Sequence, residues 1–157
     1  MSGNIAADLL LLGLAALLLW AAVGDIRTFN IPNELNGAIA LAAPLFWWAS
    51  GTELWPDAAM RMGVALAVFA VLAGAFYLGM MGGGDVKMAA AVLLWFPAGR
   101  APDFLMIMSI AGGLVTLAAL IRHRVARRDG RPEVPYGVAI AGAGLWLIAE
   151  RYLYQFS

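Results

Sequence analysis

Apolar residues in this chain come in long runs separated by short polar stretches, and the runs fall into six blocks: 5–23, 35–49, 59–80, 86–98, 103–121 and 136–153. A helix needs about 20 apolar residues to cross a bilayer, within a range of roughly 17 to 25. The pattern therefore predicts an all-α, polytopic membrane protein with about six transmembrane helices, residues 1–157 forming one membrane domain. The first block, "IAADLLLLGLAALLLWAAV", is expected to be a retained helix rather than a signal peptide. No basic region precedes it, and it is followed by Gly24-Asp25-Ile26-Arg27 rather than a small-residue cleavage site. Small-residue runs such as "GVAIAGAGL" at 137–145 read as close helix packing.

Composition sharpens this picture. The chain is 63% hydrophobic and 13% charged, which excludes an ordinary soluble domain. Ten Lys plus Arg balance ten Asp plus Glu, so net charge points to no nucleic-acid partner. With no cysteine, the sequence excludes disulfides, thiolate catalysis and cysteine metal sites. The single histidine, His123, lies in "RHRVARR", which reads as a solvated basic loop, and neither a metal nor a cofactor is expected. The eight methionines read as packing filler.

Local charge sets an orientation. Arg122, Arg124, Arg127, Arg128 and Arg131 lie between the fifth and sixth blocks, which places that loop in the cytoplasm and both chain ends outside. Arg27 and Lys87 then fall on the cytoplasmic side, while Glu53 and Asp57 fall outside, with Arg61 as a counter-example. Trp47, Trp48, Trp55, Trp95, Phe96, Tyr152 and Tyr154 are expected in an outer aromatic belt, and Trp20 and Tyr136 toward the inner face.

This arrangement brings two carboxylates to one membrane face: Asp25 at the end of the first helix and Asp85 at the start of the fourth. Residues 86–98 span only roughly 20 Å of a roughly 30 Å core, so Asp85 is expected below the cytoplasmic surface, at the wall of a water-filled cavity. Gly82, Gly83 and Gly84 suit such a place because glycine permits positive φ and close backbone approach. Two carboxylates within a few ångströms share a proton, so one can activate water while the other protonates a scissile carbonyl. The alternative is structural: Asp25 ends the first helix and pairs with Arg27, and Asp85 caps the fourth. Asp8, near the outer end of the first block, reads as an interfacial or packing residue.

Three motifs resemble the type IV prepilin peptidases, membrane aspartic proteases of the GxGD group. Asp25 opens "DIRTFNIPNELN", similar to that family's first-aspartate motif with Ile31-Pro32-Asn33; Gly82-Gly83-Gly84-Asp85 followed by Lys87 resembles its GxGD motif; and "VPYGVAIA" at 134–141 resembles the Pro-Tyr-Gly segment opening its last helix. The resemblance implies that Asp25 and Asp85 are the catalytic pair and that the substrate is a prepilin or pseudopilin precursor, cut at the cytoplasmic face of the bacterial inner membrane. It also implies shaping or substrate-binding roles for Gly82, Gly83, Gly84, Ile31, Pro32, Pro135, Tyr136 and Gly137, with the Tyr136 hydroxyl near the site. Asn33 is an N-cap candidate for the second helix. Lys87 is read as orienting the loop, lowering a carboxylate pKa or simply snorkelling. Glu34 and Glu133, with the aspartates, would receive a basic leader.

Longer members of that family carry paired CxxC motifs associated with N-methylation, and this chain has no cysteine. It is therefore more like the short, peptidase-only form of Flp (tight adherence) pili. Two rival readings use the same carboxylates: a non-catalytic subunit of a pilus or secretion assembly, and a small proton-coupled carrier.

Overall fold

Residues 4–126 and 133–153 are described by the computed structural model. Six helices carry the chain: α1 Ile5–Thr28, α2 Asn33–Ser50, α3 Ala59–Tyr77, α4 Gly83–Leu93, α5 Ala101–Val125 and α6 Tyr136–Leu153. No strand occurs among the described residues. All six lie where the apolar blocks were. Arg127, Arg128, Arg131 and Tyr154 lie outside the described residues.

The stretches Ile5–Thr28, Leu54–Tyr77 and Ala98–Val125 are long and apolar enough to cross a membrane. The remaining helices are shorter: α2 and α6 have 18 residues each and α4 has 11. At about 1.5 Å per residue α4 reaches only roughly half of a bilayer core. The expectation of six crossings is thus met in part, by six helices of which three reach that length and apolarity.

Helix packing has a simple plan. The helices α1, α2, α4 and α6 contact one another in a closed ring, α1 to α2, α2 to α4, α4 to α6 and α6 to α1. Outside the ring, α3 lies along α4 and α5 along α6. Buried positions on α1 are Ala7, Leu11, Leu14, Leu18, Ala21 and Asp25, an alternation of three- and four-residue steps that keeps one stripe facing the ring. Facing this stripe, α6 presents glycines. A Cβ on Gly144 would lie 2.8 Å from Leu18 Cδ1, and one on Gly137 would lie 2.9 Å from Asp25 Oδ2. Gly137 and Gly144 are two turns apart on α6, as Leu18 and Asp25 are on α1, so the two helices run antiparallel in close register.

At the end of the ring away from Asp25, polar contacts fix the helix ends. Asn4 caps α1 and also donates its side-chain amide to the Ala49 carbonyl. Arg100 pairs with Asp103 at 2.9 Å and with Glu150 of α6. Arg61 donates to the Trp95 carbonyl at 3.2 Å, and the Tyr152 hydroxyl donates to Asp8 at 3.3 Å. The expected aromatic belt needs correction here. Trp48 is 85% exposed and fits it, but Trp95 is 2% exposed, stacks on Phe46 at 5.2 Å and donates its indole N–H to the Ile39 carbonyl at 2.9 Å. Trp47 and Phe96 are buried as well, and the Trp47 indole donates to the Leu94 carbonyl at 2.8 Å. These rings close the short α4 against α2, and the packing needs them more than the interface does.

Candidate active site

Asp25 occupies the last position of the buried α1 stripe, where an apolar residue would otherwise fall, and is 3% exposed. The first block was expected to end at Val23, yet α1 continues through Asp25 to Thr28 and stops at Phe29, whose left-handed backbone (φ 49°) donates back to the Asp25 carbonyl. The continuation is possible because the carboxylate finds its partner inside the protein. Gly137 N–H, in the first turn of α6, donates to Asp25 Oδ2 at 2.7 Å. First-turn N–H groups lack helical partners and carry the positive end of the helix dipole, so they suit an anion. This geometry replaces the reading in which Asp25 pairs with Arg27, which is exposed.

Asp85 is the third residue of α4, whose N-cap is Gly82. It does not cap the helix itself; the Gly82 backbone amide faces its carboxylate from the N-cap position. The two aspartates, far apart in sequence, reach the same end of the ring. One is held by α6 and the other belongs to α4, and Ile31, just before α2, keys the two by lying against both Gly84 and Gly137.

That keying rests on close approach. None of the three consecutive glycines has a positive φ; in the described chain Gly51 and Gly79 do. What they supply is the missing Cβ. On Gly82 it would sit 2.8 Å from Asp85 Oδ2, on Gly83 3.3 Å from the Phe76 ring, and on Gly84 3.2 Å from the Ile31 carbonyl oxygen. Gly84 is thus covered by Ile31 of the Ile31-Pro32-Asn33 segment, whereas Gly82 is exposed. Asn36, which the sequence reading did not single out, completes the contact: its Nδ2 donates to the Gly84 carbonyl at 3.0 Å, and the residue is 5% exposed. A carbonyl only accepts, so the amide must present its NH₂ there.

Other expected site residues separate from this cluster. Pro32, not Asn33, is the N-cap of α2, and Asn33 Oδ1 accepts from Lys87 Nζ at 2.8 Å. Lys87 therefore ties the first turns of α4 and α2 together, on the face of α4 opposite Asp85. Tyr136 turns toward α5: a Cβ on Gly112 would lie 2.9 Å from its hydroxyl. The expected placement of that hydroxyl by the aspartates is thus corrected, because the neighbouring Gly137 takes the inward position. The Pro135 carbonyl accepts from Val138 N–H at 3.3 Å and starts α6. Glu34 and Glu133 are exposed. Among the described residues no three His, Cys, Asp or Glu side chains group so as to hold a metal ion.

Residues 12–117 match the model of the type IV leader peptidase family, a stretch that contains both aspartates, Ile31-Pro32-Asn33, the three glycines and Lys87. The chain belongs to that family. Two proteins from Burkholderia pseudomallei, strains 1026b and K96243, each named prepilin leader peptidase/N-methyltransferase, are 28% identical to it over 164 residues. The alignment takes in 96% of this chain and 50% of each relative, so the chain spans about half the length of the curated relatives it matches. No solved structure matches it. The type IV leader peptidase match ends before α6, so the family model does not reach the Gly137 contact to Asp25.

Proposed function

We propose that this chain is an aspartic endopeptidase that removes the basic leader of Flp-type prepilins at the cytoplasmic face of the bacterial inner membrane. In this reading residues 1–157 act as one membrane domain, and Asp25 and Asp85 form the dyad that activates water. The observation that supports it is geometric: Asp25, held by Gly137, and Gly84, beside Asp85, come from different helices and both lie against Ile31 at one end of the helix ring. Family membership supplies the substrate class.

Mechanistically, the pair carries one proton between them. The ionised carboxylate takes a proton from water, which attacks the scissile carbonyl, while the protonated partner donates to that carbonyl oxygen. The Gly137 N–H stabilises charge on Asp25 and fixes its rotamer, and the missing Cβ of Gly82 leaves space for the Asp85 carboxylate. Exposed Gly82 leaves room for an extended substrate backbone beside Asp85. The basic last turn of α5, with Arg122 and Arg124, lies at the end where α6 begins and favours a cytoplasmic site.

The test is incubation of the purified protein in liposomes with a leader-bearing Flp-type prepilin, the products read by mass spectrometry. Two fragments split at the leader junction are expected. A precursor that is bound but never cut would assign the chain instead to a non-catalytic assembly subunit.

A further inference from the structure

On the side of α4 away from Asp85 lies a groove of about 490 Å³, walled by α2 and α3. Its floor is the α4 stripe of Lys87, Ala90, Ala91 and Leu94, whereas Asp85 belongs to the stripe turned toward α1 and α6. The proposed dyad makes no use of it. The groove exists because α3 packs along α4 without a comparable seam to α2.

Three features restrict what can fill it. Apart from Asn33, Asn36 and Lys87, gathered toward the starts of α2 and α4, its lining is apolar, Met62 and Phe69 among it. An extended polypeptide would leave its backbone N–H and C=O groups without partners along such walls, at several kcal/mol each; a hydrocarbon chain would not. Second, from Lys87 to Leu94 is two helical turns, roughly 10 Å, which suits the depth of one leaflet rather than a helix crossing a roughly 30 Å core. Third, the sole charged group in the lining is the Lys87 ammonium, which uses one of its three donors on Asn33 Oδ1 and keeps the others for an anion. That cation would repel a basic leader.

We propose that this groove binds an anionic phospholipid, one acyl chain lying between α2 and α3 over Ala90 and the phosphate held by Lys87. The site is independent of the peptidase reading and needs only that the chain lie in a bilayer. The bound lipid would fill the gap between α2 and α3.

Thermal unfolding of the purified protein in neutral detergent, titrated with phosphatidylglycerol or with phosphatidylcholine of the same chains, tests it. Phosphatidylglycerol is expected to raise Tm saturably and to bind about fivefold more tightly, the selectivity of one basic residue near a headgroup. Lys87→Gln should bring phosphatidylglycerol down to the phosphatidylcholine level, and Ala90→Phe, which fills the floor, should remove both responses. Should Ala90→Phe fail to fold, the Lys87→Gln comparison still decides. Equal affinity of the wild type for the two lipids, or unchanged selectivity in Lys87→Gln, would overturn the proposal. Competition of phosphatidylglycerol by an apolar helical peptide from the precursor would reassign the groove to substrate.

Discussion

Gly137→Ala tests whether Asp25 is held in place for chemistry, without altering a carboxylate. The new Cβ would lie 2.9 Å from Asp25 Oδ2 and 2.7 Å from Ile31 Cδ1. A carbon and an oxygen in ordinary contact stand roughly 3.3 Å apart or more. The tip of Ile31 can swing, but Asp25, on a packed helix, has to withdraw its carboxylate by about half an ångström. The 2.7 Å bond from Gly137 then stretches beyond a charge-assisted hydrogen bond. Misplacing a reacting group by about 1 Å costs about 100-fold in rate, so a shift of this size is expected to lower kcat by roughly 10-fold. Stability should change less, because crowding costs about 1–3 kcal/mol while alanine in a helix recovers up to about 1 kcal/mol. Gly144→Ala is the control: its Cβ would meet Leu18 Cδ1 at 2.8 Å and Val92 Cγ1 at 3.2 Å, similar crowding on the same face but two turns from the carboxylate. Leader cleavage and thermal unfolding of both variants should therefore diverge, with Tm lowered by a similar few degrees and kcat lowered in Gly137→Ala alone. Wild-type kcat in a folded Gly137→Ala protein would refute the positioning argument.

Three further outcomes are expected. Asn36→Ala removes the 3.0 Å bond to the Gly84 carbonyl, a loss of about 1 kcal/mol in stability, and should lower kcat several-fold with KM little changed; a pure KM effect would count against a role in setting Asp85. Changing the exposed Glu34 and Glu133 together to Gln should raise KM for the basic leader more at low salt than at high salt, and an unchanged KM at both would remove them from leader recognition. A pair sharing one proton works only when singly protonated, so kcat/KM should fall at low pH as the base is protonated and again at high pH as the acid loses its proton. A profile flat through both limbs would exclude the dyad.

Much of this was legible in the sequence because long apolar runs mark helices, and all six helices fall where the runs predict, three of them long and apolar enough to cross a membrane. Which face of each helix is buried was not. On α1 the exposed Leu9, Leu12 and Leu19 are as apolar as the core residues Leu11, Leu14 and Leu18, so no amphipathic pattern separates them. Asp25 could have served as the marker, since a carboxylate in register with Leu11 and Leu18 fixes the inward stripe. Asn36 carried no such signal, because it follows the polar Asn33-Glu34 start of α2 and only the fold shows that it is buried. Of the two properties expected of the glycine run, positive φ is absent and close approach is present, against Asp85, Phe76 and Ile31, neighbours that only three dimensions reveal. Likewise Tyr136 and Gly137 are adjacent in sequence, and only the rotation of α6 decides which of them meets Asp25.

The central claim is that Asp25 and Asp85 together perform the cleavage, and the most direct measurement compares wild type, Asp25→Asn and Asp85→Asn for leader removal and for precursor binding, each confirmed folded by thermal unfolding. The account expects both substitutions to abolish cleavage while precursor affinity stays near that of the wild type. Cleavage at an undiminished rate by either folded variant would contradict it.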